Sequence, residues 1–242
     1  MSARQAAPGC GDALKVMSFL QRRPDFTLEA FSEYWRTVHR AHALRLVEAG
    51  YLRGYIQNHR IDTQLEGFVW MADGAPELWI DDIGALQRLV TSPEYLHGAG
   101  PDEARFMVPP AVACVARERV LREAAGDLPD GAVKLILVFR RNPRLAADAF
   151  AARWLDGEAP LLLPEAAPLR LTRYVAVEGA GEPPFDAVEC SWWDSLDSLR
   201  CEWALRDAAR GQPLVDPSAT RGMLVHEEVV VPAGWYARAG VA

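Results

Sequence analysis

The sequence is poor in the residues that staple or anchor a chain. It has four cysteines in 242 residues, Cys10, Cys114, Cys190 and Cys201, and no Cys-x-x-Cys pair. Such spacing offers neither a zinc site nor a disulfide framework. Buried, inert thiols are the expectation, because free cysteine behaves as a small hydrophobe. No apolar run reaches the ~20 residues needed to cross a bilayer as a helix. The opening residues carry no apolar h-region, so no secretory signal is expected. Lys and Arg are scattered, and the formal net charge is −7. Phosphate binding needs clustered cations, so nucleic acid is excluded as a partner. A soluble cytoplasmic protein without membrane contact is expected.

What is present is a repeat. The segment Lys15 to Pro24 reads KVMSFLQRRP, and Lys134 to Pro143 reads KLILVFRRNP. The spacing is 119 residues (134 − 15). Kept without a gap, it sets Arg22 on Arg141, Phe31 on Phe150, Trp35 on Trp154 and Tyr55 on Tyr174. The spacing then shrinks to 113, which sets Trp79 on Trp192, and to 110, which sets Val115–Glu118 on Val225–Glu228. Two units follow, residues 13–121 and 132–232, joined by a linker with Gly126, Pro129 and Gly131.

Each unit reads βαββαβ. In the first, strands are expected at Lys15–Leu20, Leu52–Arg60, Pro76–Ile80 and Val112–Arg119. Helices are expected at Leu28–Glu48, with Thr27 as N-cap, and at Ile83–Val90. Gly98, Gly100, Pro101, Pro109 and Pro110 make Ser92–Pro110 read as irregular. The second unit repeats the order, with strands at Val133–Phe139, Leu171–Val177, Ala187–Trp192 and Met223–Val231. Its helices are expected at Ala146–Pro160 and Leu196–Ala208. Such a unit covers only one sheet face with helices, and the other face must be buried elsewhere. The fold class expected is therefore α+β, with two ferredoxin-like units packed sheet to sheet as a pseudo-dimeric α/β barrel.

Three motifs suggest a family. They are Phe31-Ser32-Glu33-Tyr34-Trp35 leading to His39, Tyr55-Ile56-Gln57-Asn58-His59, and Glu77-Leu78-Trp79. The stretch Asp102-Glu103-Ala104-Arg105-Phe106 adds to them. Together they resemble the EthD domain family of the dimeric α/β-barrel superfamily. The resemblance covers Lys15–Arg119 well and the second unit in outline. It implies the barrel, and an activity among polyketide cyclases, decarboxylases, lactone isomerases and cofactor-free monooxygenases. Other members of the superfamily bind haem.

Four of five histidines lie in the first unit: His39, His42, His59 and His97. Histidine moves protons near neutral pH. His39 sits at the edge of a helical apolar stripe and stands at the family's matching position. A hydrogen-bonded structural histidine is the competing reading. His42 lies in the stripe's centre, where filling space explains it. Tyr55, Gln57 and His59 alternate along one strand face and suggest a cavity, against a plain cross-strand network. The expected site has His39, His59 and Tyr55 as catalytic residues. Asn58, Gln57, Trp79, Trp35 and Glu77 would bind substrate, with Tyr55 and Asn58 positioning an oxygen. His39 and His42 have helical metal-pair spacing, but no third ligand motif supports a metal, and no cofactor is implied. In the second unit Glu158 and Glu178 replace His39 and His59.

The function expected is cofactor-independent acid/base chemistry on a small aromatic or polyketide-like molecule: cyclisation, isomerisation or decarboxylation. The alternatives are a non-catalytic small-molecule binder and a cofactor-free monooxygenase. The partners expected are an aromatic ligand and, at most, a second copy in a homodimer of pseudo-dimers.

Overall fold

The structure is a computed structural model describing residues 14–63, 65, 70–156, 168–177, 183–205 and 214–232. Among the described residues there are eight strands: β1 (Leu14–Phe19), β2 (Gly54–Arg60), β3 (Gly74–Ile80), β4 (Val112–Arg122), β5 (Val133–Arg141), β6 (Arg170–Ala176), β7 (Ala187–Trp193) and β8 (Val215–Val231). They close into one antiparallel barrel in the order β1-β3-β2-β8-β5-β7-β6-β4, with β4 returning to β1. The first half contributes β4-β1-β3-β2 and the second β8-β5-β7-β6, the same order twice. The sequence leads one to expect two sheets laid face to face. The halves are instead also hydrogen-bonded at their edges, β2 to β8 and β4 to β6. The cause is the length of the last strand of each half, 11 residues in β4 and 17 in β8. Both outrun their own sheet and pair with the other half. None of the eight described strands is left with an unpaired edge along its whole length.

Helices cover the outside. In the first half they are α1 (Leu28–Tyr34), α2 (Arg40–Glu48), α3 (Ile83–Val90) and α4 (Gly100–Phe106). In the second they are α5 (Ala147–Leu155) and α6 (Leu196–Leu205). The Thr27 hydroxyl accepts from the Ala30 N–H at 3.1 Å and starts α1. A π-helical turn, Trp35–His39, joins α1 to α2, and another, Tyr95–Ala99, leads into α4. Helix α4 corrects the irregular reading of Ser92–Pro110. Pro101 stands in its first turn, where proline's missing N–H costs nothing, with Asp102 and Glu103 beside it. No helix among the described residues is long and apolar enough to cross a membrane.

The repeated arginines have a local task. Arg22 donates from its guanidinium and its backbone N–H to Asp73, and from Nε to Phe26 O at 2.9 Å. Arg141 does the same to Asp186 and Leu145. Trp35 and Trp154 are fully buried between helix and sheet, each burial contributing about 4–6 kcal/mol of transfer free energy. Gly74 allows the closeness: a Cβ there would meet the Trp35 ring at 2.6 Å.

Register corrects two of the alignments. Trp79 faces Gly54, and Trp192 faces Arg170. Tyr174 therefore occupies the place of Asn58, not of Tyr55, and Val175, not Glu178, that of His59. Lys15 faces Ala116, and Lys134 faces Val225. Glu118 thus corresponds to Glu227, a spacing of 109 (227 − 118) rather than 110. Glu158, Glu178 and Cys10 lie outside the described residues. Cys114 and Cys190 are buried, but Cys201 is exposed on α6, against expectation.

Barrel closure buries an ion network. Lys15 Nζ donates to Glu77 at 2.7 Å, Glu118 at 3.0 Å and the Tyr174 hydroxyl at 2.8 Å. Lys134 Nζ donates to Glu77 and, at 2.6 Å, to Glu227. Lys15 lies over the Trp79 ring and Lys134 over the Trp192 ring.

Candidate functional site

The expected site residues divide between the two faces of the first-half sheet. Asn58, Glu77 and Trp79 point into the barrel, where Asn58 Nδ2 donates to Glu77 at 2.8 Å and Trp79 Nε1 to Glu118 at 3.3 Å. Trp35, His39, Tyr55, Gln57 and His59 lie on the helix side. Neighbouring residues of a strand point to opposite faces, so Tyr55 and the inward-facing Asn58 do not meet on one ligand. That joint role is corrected, as is a substrate contact by Glu77, which two lysines and Asn58 already occupy.

On the helix side, Trp35, His39, Tyr55, Tyr95 and Glu103 share a cavity of about 110 Å³. Apart from Ser18, its other walls are apolar, among them Leu46, Leu52, Leu89 and Phe106. His39 ends the first π turn, a feature frequent at functional sites. Its Nδ1 lies 2.9 Å from Asp102 Oδ2, and Asp102 Oδ1 accepts from the Tyr34 hydroxyl at 2.8 Å. Burial works against charge on Asp102. The bonds from His39 and Tyr34 outweigh it and hold the carboxyl below its ordinary value. With Nδ1–H committed to Asp102, the neutral imidazole presents the lone pair of Nε2. Glu103, next on α4, is pushed the other way by burial, against the pull of His39 and of the Tyr95 hydroxyl at 3.2 Å. The site thus holds an anionic carboxylate behind the histidine and a carboxyl of raised affinity for a proton at the cavity wall. Environments that push neighbouring acids apart are the mark of acid/base sites.

Tyr34, Asp102 and Glu103 are absent from the set expected from sequence. The stretch Asp102–Phe106 is the signal that points to them. His42 also turns toward Asp102, with Nε2 at 3.9 Å. Among the described residues no three of His, Cys, Asp and Glu converge as metal ligands.

His59 does not line the cavity. It lies against the Trp35 ring, with centroids 4.7 Å apart. Its Nδ1 is 2.6 Å from Ser32 Oγ and its Nε2 3.3 Å from Gln57 Oε1. An amide oxygen only accepts, so Nε2 carries the proton and Nδ1 accepts from Ser32. Burial, aided by the Arg36 charge, lowers the His59 pKa to about 4. The direct proton transfer expected of it does not fit a residue that stands outside the cavity wall. Arg36 and Arg40 both bind Glu228 of β8, tying this helix to the other half.

His59 has a consequence for stability. The unfolded chain binds a proton here near pH 6.5 and the folded chain only near pH 4. Stability should be full above about 6.5 and fall as pH drops toward 4. Urea unfolding of the native protein and of His59→Gln at pH 7 and 5 checks this: the variant should lose less between them. An equal loss in both assigns the acid sensitivity elsewhere.

Residues 23–110 match the profile of the EthD domain family. No curated protein matches the chain. Among solved structures, an anthrone oxidase-like protein shares 15% identity with a TM-score of 0.55, the alignment covering 95% of each chain. A candidate monooxygenase from Fusobacterium nucleatum subsp. nucleatum shares 8% identity with a TM-score of 0.51, covering 90% of this chain and 94% of that one. At these identities the likeness is one of fold, and it spans both halves. The His39–Asp102 pair therefore stands within the stretch, residues 23–110, that matches the EthD domain family, in a chain whose described strands close into an eight-stranded antiparallel barrel.

Proposed function

We propose that the chain is an enzyme that uses His39 as a general base on a small, largely apolar molecule held between helix and sheet. The observation that carries this is the His39–Asp102 hydrogen bond at the wall of the cavity. Asp102 orients the ring, and His39 Nε2 removes a proton from the substrate. An intramolecular attack or a proton shift on the resulting anion gives cyclisation or isomerisation; a carboxylate-bearing substrate would instead lose carbon dioxide and take a proton. A second reading is the cofactor-free monooxygenase that the sequence resemblance offers, and the names of the two structural relatives, an anthrone oxidase-like protein and a candidate monooxygenase, favour oxygen chemistry. This reading shares the first step, since a deprotonated, electron-rich ring is what dioxygen would meet.

Each half is read as a ferredoxin-like βαββαβ unit and the second as a degenerate copy of the first. Supporting this are the identical strand orders, the matched Arg22 and Arg141 clamps, and Val175 in the place of His59.

The test is turnover of a panel of phenols and 1,3-dicarbonyl compounds, with products followed by mass spectrometry and dioxygen by electrode. His39→Ala should lower the rate about 100-fold or more. Oxygen uptake that tracks product would favour the monooxygenase. Unchanged turnover in the variant removes His39 from the mechanism, and binding without turnover in the native protein leaves a ligand-binding protein.

A further inference from the structure

We propose that the helix-side cavity takes a single six-membered ring bearing an acceptor oxygen, with the Tyr55 hydroxyl as donor to that oxygen. This rests on the reading above and names the substrate class of the same site.

Size sets the ring count. The cavity is about 110 Å³. An apolar cavity of about 150 Å³ holds benzene, so the space here is at the lower edge for one ring. A fused second or third ring would have to project from the cavity's open side or displace packed walls such as Leu46, Leu89 and Phe106, and close-packed interiors resist the latter. Those walls favour a flat apolar body.

Hydrogen-bond direction sets the oxygen. The Tyr55 hydroxyl receives the indole N–H of Trp35 at 3.1 Å and the amide N–H of Gln57 at 2.8 Å. Indole nitrogen only donates. The Gln57 amide cannot turn round. Its nitrogen also donates to Trp35 O at 3.0 Å, a carbonyl that can only accept, and this leaves its oxygen facing His59 Nε2. The chain therefore runs one way, Ser32 to His59 to Gln57 to Tyr55. Both acceptor positions of the Tyr55 oxygen are filled. Its own proton has no recorded acceptor among the described residues, and Tyr55 lines the cavity. Burial raises its pKa far above the usual phenol value, so the proton stays in place. A buried donor without a partner is costly, and a ligand carbonyl or phenolate oxygen supplies one. In this account Ser32, Gln57 and His59 are positioning residues for Tyr55.

The test uses benzene, cyclohex-2-enone and anthrone, which has three fused rings, with calorimetry and ligand-observed NMR. The native protein should bind benzene and the enone, and anthrone should displace neither. In Tyr55→Phe the enone should weaken about tenfold while benzene stays within twofold. The benzene arm shows that the variant keeps its cavity. On the native protein alone, the bound enone's 13C carbonyl signal should keep the downfield position of a hydrogen-bonded ketone. An enone affinity indifferent to Tyr55→Phe, an upfield carbonyl, displacement of benzene by anthrone, or failure of benzene to bind would each overturn the proposal. The proposed function fails separately, on turnover by His39→Ala, which these binding measurements leave untouched.

Discussion

Glu77→Gln should lower stability by about 3–5 kcal/mol, the usual loss when a buried ion pair loses one partner. For a chain of this size that is a drop in melting temperature of roughly 10 °C. Glu77 is 1% exposed and lies between two ammonium groups, Lys15 and Lys134. Burial opposes its charge, but the two lysines outweigh it and hold the carboxyl well below its ordinary value of 4.5. The second half has Cys190 at the corresponding place, and burial pushes that thiol up to about 12, so it adds no charge. One carboxylate thus serves a lysine from each half. Glutamine with its oxygen at the Oε1 place keeps the bonds from Asn58 and Lys134 but not the charge, and it turns an NH2 toward Lys15, which is left with Glu118 and Tyr174. Since Glu77 joins β3 to β1 and to β5, its loss should loosen closure of the barrel as well as one sheet. Because the folded pKa is depressed, this contribution is present above pH 4.5 and is lost only as pH falls far below it. It therefore stays separate from the His59 effect between pH 6.5 and 4. Differential scanning calorimetry checks the prediction, and the double variant Glu77→Leu with Lys134→Met should recover part of the loss. A melting temperature within 2 °C of the native value would show that the network contributes no net stability.

The same residues show what the sequence could and could not reveal. Lys15 and Lys134 are the first matched pair of the repeat, so their correspondence was legible. Their partners were not, because Glu77, Glu118 and Glu227 reach them only across closed strands. Alternation along β2 separated Tyr55, Gln57 and His59 from Asn58, but period two does not say which face meets the helix. The match of Tyr55 with Tyr174 failed by three residues. The connection before β6 differs in length from that before β2, and an ungapped comparison cannot see it. The structure shows the true correspondence through a shared bond: Gln57 donates to Trp35 O, and Arg173 to Trp154 O. Asp102 was hidden by the prolines and glycines around it, since Pro101 reads as a breaker until it is known to occupy a first helical turn.

Asp102→Asn should cut turnover about 100-fold with little change in substrate affinity. The carboxylate accepts two bonds, from Tyr34 on Oδ1 and from His39 on Oδ2. Asparagine keeps one acceptor oxygen, and the Tyr34 hydroxyl claims it. The amide NH2 then faces His39 Nδ1 and can only donate. Nδ1 must accept, and the proton moves to Nε2, the nitrogen on which the proposed base depends. The side chain keeps its size and burial, so the cavity persists while the base is lost. That is the signature of a group needed in the transition state alone, kcat falling with KM unchanged. Tyr34→Phe sharpens the test. It removes the hydroxyl that fixes the amide, so in the double variant asparagine can turn its oxygen to Nδ1 and part of the rate should return. A structural part for Asp102 predicts the reverse, with each change adding to the damage. Steady-state kinetics of the two single variants and the double variant distinguish the outcomes.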